Sequence, residues 1–88
     1  MTTRSWLAAL LLAGAAGAAE QVISLRIQGW HSKGDIYKTE QAVRQVKGVM
    51  RVASDQAKGE LTVTFDNALA NEAAVEKAIA GAGYSVQH

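Results

Sequence analysis

The chain has 88 residues, a formal net charge of +1 and no cysteine. So short a chain holds at most one small domain, and the missing cysteines exclude disulfide staples and thiolate metal sites. Acidic and basic residues nearly balance and form no basic stripe, so neither nucleic acid nor an anionic membrane surface is expected as a partner.

Residues 1–19 read as a secretory signal peptide. Arg4 supplies the positive start, Trp6 to Ala13 an apolar run, and Ala16-Gly17-Ala18 a small-x-small cleavage site. The apolar run is shorter than the roughly 20 residues that span a bilayer. Cleavage is expected after Ala18 or Ala19, leaving no stable membrane anchor. The protein is then exported, and periplasmic if the source is Gram-negative. Residues 20–88 form the domain. Arg4 is one of nine basic residues, so this part carries eight charges of each sign.

From Glu20 to Gln28 apolar and polar residues alternate. Ile23, Leu25 and Ile27 fall on one face and Ser24, Arg26 and Gln28 on the other, as in a half-buried strand that Gly29 ends. From about Ser32 or Asp35 the period lengthens. Ile36, Thr39, Val43 and Val46, with Ala42 beside them, mark one face of a helix. Ser32 and Asp35 are both suited to cap its first turn, and Gly48 stands where its stop is expected.

A second strand is expected from Val49 to about Ser54. A polar turn over Asp55 to Gly59 follows, then a third strand from Glu60 to Phe65 with Leu61, Val63 and Phe65 on one face and Thr62 and Thr64 on the other. Asn71 is suited to cap a second helix from Glu72 to about Ala80, with Val75, Ala78, Ile79 and Ala82 as its apolar stripe. Gly81 and Gly83 end it, and Tyr84 to Gln87 forms a short last strand. The order β-α-β-β-α-β predicts an α+β fold of the ferredoxin-like type: a four-stranded antiparallel sheet with two helices on one face. The loop Gly29 to Asp35, the turn 55–59 and Tyr84 then share one end of the sheet.

Gly29 through Val43, Val46-Lys47-Gly48-Val49, Val52, Val63-Thr64-Phe65-Asp66 and Ala78 through Tyr84 together resemble the heavy-metal-associated domain family. The likeness is to its periplasmic mercury-binding and copper-chaperone type, and it covers essentially all of residues 20–88. It implies the same ferredoxin-like fold and a link to metal handling, with another metal-handling protein as partner. The family's loop signature is Gly-Met-x-Cys-x-x-Cys. Here the loop reads Gly29-Trp30-His31-Ser32-Lys33-Gly34-Asp35, with Trp30 for the methionine and Ser32 and Asp35 at the two cysteine positions. Soft Cu(I) and Hg(II) favour thiolates, so the family's ligands do not carry over.

His31 is then the best metal-ligand candidate, with Asp35 as an added oxygen; such a pair suits weak binding of Cu(II) or another borderline divalent ion. Alternatively, His31 is a solvent-exposed loop residue and Asp35 a helix cap. His88 and Met50 fall too far down their strands to join them. Trp30 is either a buried anchor under the loop or an exposed contact surface. Tyr84 either packs in the core with its hydroxyl on a polar neighbour or joins that surface. Trp30, His31, Ser32, Lys33 and Tyr84 make up the candidate partner-contact face. Lys33 and Gly34 at a helix start also admit an anion. Ser32 beside His31 has no third orienting acid, and a domain this small has little room for a substrate cleft, so no enzyme is expected. Two functions remain: a cysteine-less interaction module acting through loop 29–35, and a non-thiolate metal carrier using His31 and Asp35.

Overall fold

The computed structural model describes residues 19–88; the signal-peptide reading otherwise lies outside the described residues. Six elements follow in order: β1 (Glu20–Gln28), α1 (Lys33–Arg44), β2 (Val49–Asp55), β3 (Glu60–Asp66), α2 (Glu72–Gly81) and β4 (Ser85–Gln87). The strands form one antiparallel sheet in the order β2-β3-β1-β4. This is the ferredoxin-like arrangement expected from the element order.

The alternation in β1 and β3 decides which face the helices cover. Leu25 stands opposite Leu61 and Ile23 opposite Val63 in the β1–β3 register. Leu25, Ile27, Leu61, Val63 and Phe65 are buried there, together with Val43 of α1 and Val75 and Ile79 of α2. Each fully buried side chain of this size contributes roughly 1.5–3 kcal/mol through removal of apolar surface from water. Trp30, Val46, Val49, Val52, Tyr84 and Val86 pack around that core.

Local signals end the elements close to the expected places. Asn71 caps α2, its Oδ1 accepting from Ala74 N at 2.8 Å. Gly81 is the last helical residue, and Gly83 takes φ +99° beyond it. Helix α1 stops earlier than the position of Gly48 suggested. Gln45 closes it, its N–H donating to the carbonyl of Ala42 at 3.2 Å, and Val46 N donates to that of Val43 at 3.0 Å. Gly48, at φ +100°, turns the chain into β2 instead. A Cβ at Gly48 would lie 2.7 Å from Cβ of Leu69, so the position requires glycine on both conformational and steric grounds.

Two features of the sheet depart from simple alternation. The β2–β3 register shifts between Val49 and Arg51, leaving Met50 as an extra residue in a bulge. Thr64, expected on the polar face, is only 6% exposed. It lies on a central strand between Val22 and Arg51, and the Arg51 guanidinium reaches across to Glu20 at 3.6 Å.

A candidate docking loop held by its own hydrogen bonds

Antiparallel pairing places the end of β1, the start of α1, the turn 55–59 and the start of β4 together. Gln28 pairs with Ser85, and Ile27 N donates to the carbonyl of Gly59 at 2.8 Å. The loop 29–35 crosses this end. Gly29 opens it at φ +105°, a conformation that glycine adopts without strain. The Tyr84 ring lies against it: a Cβ on Gly29 would sit 3.2 Å from the ring Cδ1.

Trp30 turns inward. It is half-buried against the core, and its indole Nε1 donates to Oγ1 of Thr39 at 2.8 Å. Thr39 is fully buried, and its hydroxyl passes its own proton to the carbonyl of Asp35 at 2.9 Å. The buried polar atoms of Trp30 and Thr39 thus satisfy each other and the backbone.

Ser32 and Asp35 divide the capping between them. Ser32 is the N-cap, with extended backbone at φ −155°, and its Oγ accepts from Asp35 N at 3.2 Å. Asp35, three residues on, returns the bond: its Oδ2 accepts from the N–H of His31 at 2.8 Å. This is a capping box shifted by one residue, since the carboxylate takes the N–H before the cap rather than that of the cap itself. Its negative charge also suits the first turn of a helix.

The second oxygen of Asp35 is occupied as well. Tyr84, from just before β4, donates its hydroxyl to Oδ1 at 2.6 Å. That bond, chiefly, and then the His31 N–H hold the Asp35 carboxyl below its ordinary range, against an opposing effect of partial desolvation; Ser32 and the charge of Lys38 add to the lowering. The Tyr84 hydroxyl is pushed up to about 12, first by its bond to Asp35, then by burial and by the Asp35 charge.

What remains outward on this loop is His31, Ser32, Lys33 and Gly34, all exposed. Of the proposed contact residues, Trp30 and Tyr84 support the loop from beneath and His31, Ser32 and Lys33 form its surface. His31 and Asp35 are adjacent, but through the backbone of His31, and both Asp35 oxygens already accept hydrogen bonds. Among the described residues no group of three or more His, Cys, Asp or Glu side chains could hold a metal ion. His88 pairs with Glu76 of α2 at 3.1 Å. Met50 lines a depression of about 150 Å³ with Ala19, Glu20 and Asp66, at the end of the sheet opposite the loop. The residue that sequence reasoning left without a structural role is Lys38, one turn along α1 from Gly34, whose charge acts on Asp35. The i, i+3 spacing of Asp35 and Lys38 was the available signal.

No protein-family model matches the chain, and no curated protein does. Solved structures do. Oxidized MerP from Ralstonia metallidurans CH34 is 29% identical, with a TM-score of 0.75, over 78% of this chain and 96% of that one. A candidate copper-ion-binding protein from Bacillus anthracis str. Ames is 26% identical, with a TM-score of 0.74, over 78% of this chain and 97% of that one. The water-soluble region of the P-type ATPase CopA from Bacillus subtilis has a TM-score of 0.74 at 22% identity, over 78% of this chain and 46% of that one, and speaks for the fold alone. Taken with the sheet order and the place of loop 29–35, these likenesses give the chain the fold of heavy-metal-associated domains such as MerP, without the cysteines of their metal loop.

Proposed function

We propose that this protein is an exported contact module of copper- or mercury-type metal handling, which docks another metal-handling protein through loop 29–35 and does not itself carry the ion. The fold and its neighbours support metal handling in general. The observation that carries the finer reading is the state of the loop. Its one carboxylate is consumed internally by Tyr84 and His31, while His31, Ser32 and Lys33 stand exposed on a capped helix end. A surface held this way loses little conformational entropy when a partner lands on it. A soft ion meets no thiolate there, whereas a partner that already holds its ion on sulfur would need only a complementary face. In this reading the chain is a binding module and not an enzyme.

The test is an NMR titration of the protein with a dithiolate metallochaperone of the same fold, with and without Cu(I). Docking through the loop predicts shift changes concentrated at residues 30–34 and at Tyr84, whether or not the partner is loaded. A parallel titration with Cu(II), Zn(II) and Ni(II) alone reads the other function. Saturable changes at His31 at micromolar metal, lost in His31→Ala, would make the chain a non-thiolate metal carrier with His31 and Asp35 as ligands. Recovery of the exported protein with Ala19 or Glu20 as its first residue would establish the proposed processing.

A further inference from the structure

The contacts around Asp35 form a closed circuit. Tyr84 touches loop 29–35 at both of its ends, its ring on Gly29 and its hydroxyl on Asp35. Between those points, Asp35 holds the N–H of His31 and Ser32 holds the N–H of Asp35. Beneath them Thr39 ties Trp30 to the carbonyl of Asp35. Every one of these ties is supplied by the chain, and none calls for an ion. We propose that Tyr84 and Asp35 form a latch that keeps the loop in a single docking shape without metal, so that opening of the loop is governed by this side-chain pair and not by ion loading.

The physical basis is the strength and placement of the bonds. A hydroxyl or amide donating to a carboxylate makes a stronger hydrogen bond than a neutral pair does. The two donors come from opposite directions: one from the strand side through Tyr84, the other from the loop itself through His31. Moving the loop away from the sheet breaks the Tyr84 bond and leaves the Asp35 carboxylate, which holds the His31 N–H, tied only within the loop. A cation approaching Asp35 competes with both donors for the same carboxylate, so the closed latch also disfavours cation uptake. The use of the latch in docking rests on the function proposed above; the latch itself does not.

Hydrogen–deuterium exchange followed by NMR tests it without any partner. In the wild-type protein the His31 N–H is expected to be protected with no metal present, and its rate to be unchanged by added Zn(II). In Tyr84→Phe, which removes only the hydroxyl, the His31 N–H should exchange about tenfold faster, as expected for loss of one charge-assisted bond. The amides of Val63 and Ile79 in the core should keep their rates. Asp35→Asn, which keeps an acceptor oxygen at only one of the two positions and puts an NH2 donor at the other, should give the same local acceleration and serves if the tyrosine variant folds poorly. The latch is overturned if the wild-type His31 N–H exchanges as fast as an open peptide, if protection appears only on adding metal, or if both variants leave the rate unchanged. Normal latch behaviour with no docking would count against the proposed function alone.

Discussion

The hydroxyl of Tyr84 donates to Oδ1 of Asp35 at 2.6 Å, across 49 positions of the chain. The bond shifts both groups, and stability follows from the signs. Asp35 is lowered from an ordinary value of 3.8, so its contribution is present above that pH and is lost as pH falls through its lower folded value. Tyr84 is raised from 10.0 to about 12, so its contribution is present below pH 10 and is lost as pH rises through about 12. Thermal unfolding of the wild type and Tyr84→Phe should therefore differ most between about pH 5 and pH 9. The two curves should converge in strong acid and in strong base. A difference independent of pH would mean that the hydroxyl acts by packing alone.

Thr39→Val keeps the shape of a fully buried side chain but removes the acceptor for the Trp30 indole N–H and the donor to the Asp35 carbonyl. The indole is then left unpaired in a half-buried site. A loss of about 1–3 kcal/mol in urea unfolding is expected. A change in Trp30 emission should accompany it, because the environment of the indole nitrogen changes.

Gly48→Ala should destabilise more than an ordinary surface change. The backbone is at φ +100°, and the new Cβ would meet Leu69 Cβ at 2.7 Å. The chain cannot easily relax, since the Gly48 carbonyl accepts from Asp66 N at 2.8 Å. The conformational strain alone is worth about 1–3 kcal/mol. Chemical denaturation reads it, and the effect should be centred on the β2–β3 register rather than on the loop.

Ser32→Cys combined with Asp35→Cys restores thiols at the two loop positions. It should create tight Cu(I) binding that the natural loop lacks, at a ratio of one ion per chain. The same change removes the cap and the latch, so the metal-free variant should melt lower than the wild type and recover on loading. If the folded variant ignored Cu(I), the loop would be misaligned with the family's metal loop.

Much of the fold was legible because its causes are local. Period two in Glu20–Gln28 and in Glu60–Asp66, the three- and four-residue steps of Ile36, Thr39 and Val43, and the caps at Ser32 and Asn71 each act within a few residues. The helix stop was placed too late because Gly48 answers to β2 and Leu69, not to α1. Thr64 is buried on the face opposite the core, which alternation does not foretell, since its register partners Val22 and Arg51 come from neighbouring strands.

At the candidate site the division is sharper. The sequence by itself determined that the loop has no thiolate, that it precedes a helix, and that Ser32 and Asp35 are both suited to cap its first turn. Only the tertiary structure decided that Ser32 and Asp35 share the capping, that Trp30 turns inward to Thr39, and that Tyr84 spends the second oxygen of Asp35. Those outcomes depend on the register of β4 against β1, which brings residue 84 beside residues 29 and 35. Capping is a contact between residues three apart and can be read along the chain; the latch joins segments that meet only after the sheet has formed.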